Sequence, residues 1–256
     1  MLAPTLGGAV LGVASWRMVF VVLAGFGVLL LVGVLGWVPE SLPPHRRRSG
    51  GVAATFTAMG GLLARRALVG YVLTLGLVSA ALFAYISGSP FVFQGIYGLS
   101  ATGYSLVFGV NALGIMASGI AFGRLAKRVR INTLLVFGVA LTVVAATALV
   151  VLLATTGGSF VTTWICLFLL VLGVGHTFPA TMTIAQAVGK DVPGTTSAML
   201  GGGQFILGAL AAPLVGAFGN ASVLPMASIL LVSSGCAALA LGVLARPWQN
   251  HGEPTP

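Results

Sequence analysis

The chain has 256 residues, of which 58% are hydrophobic and only 6% charged, and its mean hydropathy is +1.10. A water-soluble domain carries roughly 25% charged residues, so water is excluded as the solvent for most of this chain. Twelve Lys and Arg against three Asp and Glu leave a net charge of +9, but the basic residues form short clusters without interleaved aromatics, which argues against nucleic acid as a partner.

A bilayer core needs about 20 apolar residues per helix, and lipid admits only helices or closed barrels because every backbone polar group must be satisfied internally. The runs here are too long and too continuous for barrel strands, so the predicted class is an all-α polytopic membrane protein. The first run, 2–14, is a stub too short to cross. It lacks the basic start of a secretory signal, since Arg17 follows it.

The first full span is predicted at 17–38. Arg17, beside Trp16 at the outer end, is placed to snorkel to the interface. A central loop at 39–66 follows, carrying Arg46, Arg47, Arg48, Arg65 and Arg66.

The second span, 67–94, places Phe83, Ser87, Pro90, Phe91 and Gln94 at i, i+4, i+7, i+8 and i+11, on one face suited to a cavity for apolar molecules. Pro90 removes a backbone donor and clashes with the carbonyl four residues earlier, which predicts a bend or opening near Ser87. The plainer reading is that Ser87 and Ser89 only satisfy freed backbone groups or a neighbouring helix.

Spans follow at 104–123, with Asn111 inside it, and at 133–154. The next, at 160–187, holds His176, the one ionisable side chain well inside a run, in Gly173-Val-Gly-His-Thr-Phe-Pro179. Imidazole changes charge near physiological pH, which makes His176 a candidate proton carrier beside its plainer role as a packed, hydrogen-bonded side chain. Asn111, Gln186 and Gln204 fit substrate binding or interhelical hydrogen bonding alike.

The span at 196–219 has Gly208, Ala212 and Gly216 at four-residue spacing, a smooth stripe for helix packing. The last span is 223–245. Cys166 and Cys236 lie within apolar runs and read as packing residues, not as a disulfide or metal site. No cofactor motif occurs, since the glycine clusters lack the strand context of a nucleotide site.

The charges alternate along this series. Arg124, Lys127, Arg128 and Arg130 fill the 124–132 gap, Lys190 the gap before the sixth span, and Arg246 follows the last; the gaps at 95–103, 155–159 and 220–222 carry none. The positive-inside rule therefore predicts cytoplasmic basic gaps and a cytoplasmic C-terminus.

Ala3-Pro4-Thr5-Leu6-Gly7-Gly8 echoes Ala212-Pro213-Leu214-Val215-Gly216-Ala217, as two parallel six-helix repeats would produce. Only three residues precede Pro4, so the chain is expected to open near the end of a fifth helix. The expected domains are 1–38, the end of an N-terminal half; 39–66, the central loop; 67–245, a C-terminal six-helix bundle; and 246–256, a cytoplasmic tail.

These residues also carry a family resemblance. The run Phe83-Ala-Tyr-Ile-Ser-Gly-Ser-Pro-Phe-Val-Phe-Gln94, with Leu2-Ala-Pro-Thr-Leu-Gly-Gly8, Trp16-Arg17 and Phe20, Pro39-Glu-Ser-Leu42, Tyr97-Gly-Leu-Ser100 and Asn111-Ala-Leu-Gly114 in that order, resembles the Bcr/CflA drug-resistance subfamily of the major facilitator superfamily across helices five to twelve. The resemblance implies a monomeric inner-membrane exporter that exchanges protons for small drug-like molecules, here without the first four helices and most of the fifth. Pro4, Gly7 and Gly8 are similar to the end of the antiporter motif, without its upstream glycines. Gly123-Arg124-Leu-Ala-Lys-Arg128 resembles a degenerate cytoplasmic loop motif, with Lys127 where an acid often stands, which weakens any gating salt bridge there.

Proton antiport normally needs a carboxylate buried in the membrane. Glu40, Asp191 and Glu253 all lie outside the spans, so the coupling acid is expected in the absent helices, with His176 as the alternative. Two other classes compete with an exporter: an inactive membrane scaffold or binding half, and an intramembrane hydrolase using Ser89 and His176. Against the hydrolase, Ser89 precedes a proline, no Gly-x-Ser-x-Gly elbow occurs and no orienting acid lies in a span.

Overall fold

The computed structural model describes residues 14–39, 51–217 and 222–253, and the chain divides into two units, 1–54 and 55–256. The stub at 2–14, with Pro4, Gly7 and Gly8, lies outside the described residues except for Ala14, as do Glu40 and Arg46, Arg47 and Arg48.

The first unit contains helix α1, Trp16–Trp37, whose 22 residues are long enough to cross a bilayer core. The Arg17 guanidinium carbon lies 5.0 Å from the centroid of the Trp16 ring, which stands edge-on to Phe20 at 5.9 Å. The expected interfacial arginine is thus paired with an aromatic face.

A second helix, α2, spans Gly51–Leu63. The sequence reading treated 39–66 as loop, and this part of it is helical. Its Ala, Met and Leu content favours helix, and Leu62 is buried at 1% exposure; the flanking arginines had marked the segment as a connector without revealing its periodicity.

The second unit contains α3 (Arg66–Pro90, continuing as a π-helical turn over Phe91–Ile96), α4 (Ala101–Leu125), α5 (Ile131–Thr156), α6 (Phe160–Val188), α7 (Pro193–Ala217) and α8 (Leu224–Leu239, continuing as a π turn over Ala240–Ala245). With α1, seven described helices are long and apolar enough to span a membrane, and they coincide with the seven expected spans. The connectors are short because their caps are local. Ser100 Oγ accepts the Gly103 N–H at 3.1 Å, Ser159 and Thr162 form a reciprocal capping box, and Gly157 takes φ 74° where α5 stops.

Helices α3 and α6 are the most buried and form the hub. α3 packs on α7, α8 and α6, while α6 also holds α4 and α5, and α5 closes onto α8. Lipid offers no hydrophobic drive between helices, so close approach and interhelical hydrogen bonds hold such a bundle. At the α5–α6 crossing a Cβ on Gly138 would stand 2.9 Å from the Gly173 carbonyl oxygen, and one on Gly173 would stand 2.6 Å from that of Gly138. The expected stripe on α7 is used in part: Gly208 receives the Phe83 ring, whereas Gly216 has nothing within 4 Å.

Candidate substrate site

The face nominated on α3 divides in two. Its first part is taken by α7: Phe83 lies against Gly208 and meets Phe205 edge-on at 6.1 Å, and Ser87 Oγ donates to the Ala212 carbonyl at 3.2 Å. Beyond Pro90 the face opens. Phe91 is 46% exposed, Gln94 is half-buried, and neither makes a side-chain hydrogen bond or ring contact with another described residue.

The opening expected near Ser87 is displaced. α3 remains α-helical through Pro90 and then widens, with Tyr97 N–H donating to the Val92 carbonyl at 3.1 Å in the i→i+5 pattern. Ser87 does satisfy a neighbouring helix, as the plainer sequence reading had it, and Ser89 Oγ lies 3.0 Å from Tyr104 Oη.

Asn111 sits at the centre of a buried polar knot. At 1% exposure, its Nδ2 donates to Tyr85 Oη at 2.8 Å and its Oδ1 accepts the Trp164 indole N–H at 3.0 Å, tying α4 to α3 and α6. Around it the aromatic rings associate. Tyr85 stacks on Phe108 at 6.0 Å, Phe93 meets Tyr97, Tyr104 and Phe160, and Phe160 stacks on Trp164 at 5.8 Å. The sequence reading missed this cluster, although Phe93/Tyr97, Tyr104/Phe108 and Phe160/Trp164 are all i, i+4 pairs, the spacing at which helical side chains meet.

His176 occupies the junction of α4, α5 and α6. Its Nδ1 is hydrogen-bonded with Ser118 Oγ and lies 3.4 Å from the Leu172 carbonyl, and Phe137 meets the ring edge-on at 5.4 Å. Ser118 Oγ also donates to Leu172 O. With that proton committed, Ser118 Oγ is left to accept from Nδ1. The hydrolase alternative does not find its pair here: Ser89 is engaged with Tyr104, and the serine beside His176 is Ser118. Among the described residues Asp191 and Glu253 are engaged outside the spans, so no carboxylate orients this pair.

A cavity of about 770 Å³ opens between α3, α7 and α8, lined by Ala80, Leu207, Leu214, Pro225, Ile229 and Ser233 among others. None of the nominated cavity residues lines it. Pro213 lies inside α7, and Pro213 and Gly216 are both exposed. Gly123, Arg124 and Arg128 lie exposed at the end of α4 and in the turn after it. Among the described residues there is no cluster of His, Cys, Asp and Glu that could hold a metal ion, and Cys166 is buried while Cys236 is exposed, both as free thiols.

On the basic side Arg65, just before α3, pairs with Asp191 between α6 and α7, and Arg66, the first residue of α3, donates from Nη2 at 2.7 Å to the Val243 carbonyl in the π turn that ends α8.

Residues 1–213 match the model of the Major Facilitator Superfamily. The chain is 34% identical over 242 residues to the uncharacterized MFS-type transporter YdgK of Bacillus subtilis, covering 94% of this chain and 60% of that protein. It is 24% identical over 138 residues to the bicyclomycin resistance protein homolog of Haemophilus influenzae, covering 53% of this chain and 34% of that one. The chain thus spans less than two thirds of the length of these curated relatives.

Proposed function

The chain belongs to the Major Facilitator Superfamily, a family of multi-pass membrane transporters and not of enzymes, and on that premise we propose that it forms one six-helix lobe of a transporter exporting small drug-like molecules in exchange for protons. In this reading α3 to α8 are the C-terminal lobe and α1 is the last helix of the N-terminal lobe, as in the Bcr/CflA subfamily; the relative named for bicyclomycin resistance supports that placement. The site of action is the cell inner membrane, with the basic connectors and the C-terminus in the cytoplasm. The hydrogen bonds from Arg65 and Arg66 to Asp191 and Val243, which hold the start of α3, the connector after α6 and the end of α8 together, support that orientation.

The observation that carries the export reading is the uncommitted end of α3. Phe91 and Gln94 follow a proline and a π turn, a combination that gives a helix a local place to flex, and no neighbouring described side chain claims them. An aromatic ring and an amide on such a turn, just past Pro90, suit an amphipathic drug. Alternating access then comes from rocking this lobe against the other, with the whole transporter acting as a monomer. The proton-handling acid is assigned to the other lobe, because Asp191 and Glu253 stand outside the spans.

Drug accumulation in cells tests this. In the whole transporter, Phe91→Ala or Gln94→Ala is expected to lower resistance at unchanged membrane abundance. Full resistance in both variants removes the proposed face, and a whole transporter that leaves drug accumulation unchanged favours an inactive scaffold instead.

A further inference from the structure

On the basic side of the bundle the chain turns back on itself. Arg246 is left-handed at φ 50°, a single 3-10 turn follows over Pro247–Gln249, and Asn250 is left-handed again at φ 53°. These reversals bring the tail to the start of α5. There Glu253 accepts the backbone N–H groups of Ile131 at 3.3 Å and Asn132 at 2.6 Å, and Asn132 Nδ2 donates to the His251 carbonyl at 3.3 Å. The Asn132 oxygen accepts from Tyr71 Oη at 2.9 Å, so one buried amide fastens the tail to α3 as well.

The fold-back borders an open cavity of about 350 Å³ lined by Arg130, Asn132, Thr133, Val136, Pro247, Trp248 and Asn250. Its chemistry is graded along α5. Arg130 stands just before the helix, the Thr133 hydroxyl comes about one turn on, and Val136, 43% exposed, lies a further turn into the span. Trp248, across the cavity, is 65% exposed. Arg130, Thr133 and Asn250 make no side-chain hydrogen bond with another described residue, and Glu253 spends its carboxylate on the helix amides and does not line the cavity.

Along α5 a cation, then a hydroxyl, then an apolar group follows the order of parts in a phospholipid read from water into the bilayer. We propose that this cavity binds one anionic phospholipid from the leaflet at the basic face, with its phosphate on Arg130, its glycerol oxygens at Thr133 and Asn250, and its first methylenes against Val136 and Trp248. The planar guanidinium fork matches phosphate oxygens, and tryptophan favours the headgroup level. The exposed Arg124, Lys127 and Arg128 in the preceding connector raise the local concentration of anionic lipid without lining the cavity.

Native mass spectrometry of the full chain, released from detergent with equal amounts of phosphatidylglycerol and phosphatidylcholine, tests this directly. One phosphatidylglycerol is expected to be retained over phosphatidylcholine by about fivefold, the effect of one basic side chain at a membrane surface. Arg130→Gln should bring the two lipids to parity at unchanged helical content. Lys127→Gln should keep the preference, Trp248→Ala should lower retention of both lipids, and excess inorganic phosphate should not displace the bound molecule. The proposal is overturned if Arg130→Gln retains the wild-type preference, if Lys127→Gln abolishes it equally, if Trp248→Ala changes nothing, or if inorganic phosphate strips the lipid.

Discussion

The guanidinium of Arg65 meets the carboxylate of Asp191 through two parallel hydrogen bonds of 2.7 and 2.6 Å. A third, at 3.1 Å, reaches the Val188 carbonyl, so the connector before α3 is strapped to the one between α6 and α7. The hydrogen bond with Asp191 raises the Arg65 pKa above its ordinary value. A raised pKa means that the charged form contributes at every pH below the ordinary value and is lost only above the folded one, so the Arg65 side of the strap persists throughout the range in which cells live. Both side chains are largely exposed, and salt screens them. Arg65→Lys, which cannot form the fork, is expected to speed amide hydrogen exchange across 188–192, and high salt should do the same to the parent. Unchanged exchange in both cases would mean that the pair restrains nothing.

Asn111→Leu should destabilise the bundle by about 1–2 kcal/mol, because it strands the indole N–H of Trp164 and removes the donor to Tyr85. Thermal unfolding in detergent measures this. A variant as stable as the parent would leave Asn111 free for a binding role.

At the α5–α6 crossing, Gly138→Ala and Gly173→Ala each push a methyl group into the facing backbone. Overpacking of this kind costs about 1–3 kcal/mol and should lower membrane abundance. Gly216→Ala, which meets nothing within 4 Å, should stay within about 0.5 kcal/mol of the parent.

The pH dependence of export by the whole transporter is expected to survive His176→Ala. His176 Nδ1 is committed to Ser118 and the Leu172 carbonyl, and Asp191 and Glu253 lie outside the spans. A flattened pH profile at normal abundance would transfer the proton role to His176.

The seven spans were legible because a bilayer demands long uncharged runs whatever the tertiary structure, and the positions 67–94 and 160–187 fall within helices Arg66–Ile96 and Phe160–Val188. Which sides of those spans meet was not legible. Where nearly every position is apolar, periodicity no longer separates a packed face from a lipid-facing one, so the split of the α3 face between Phe83, held by α7, and the freer Phe91 could not be read. The union of Asn111 with Trp164 and the docking of Glu253 on Asn132 join residues 53 and 121 positions apart, and no local pattern encodes such pairs.

The most direct measurement is the labelling rate of a single cysteine at position 94, in a whole transporter whose Cys166 and Cys236 have been replaced by serine, with a water-soluble thiol reagent. If the end of α3 faces the drug path, the cysteine reacts and a transported drug slows the reaction. A cysteine that never reacts, or that reacts at the same rate under saturating drug, contradicts it.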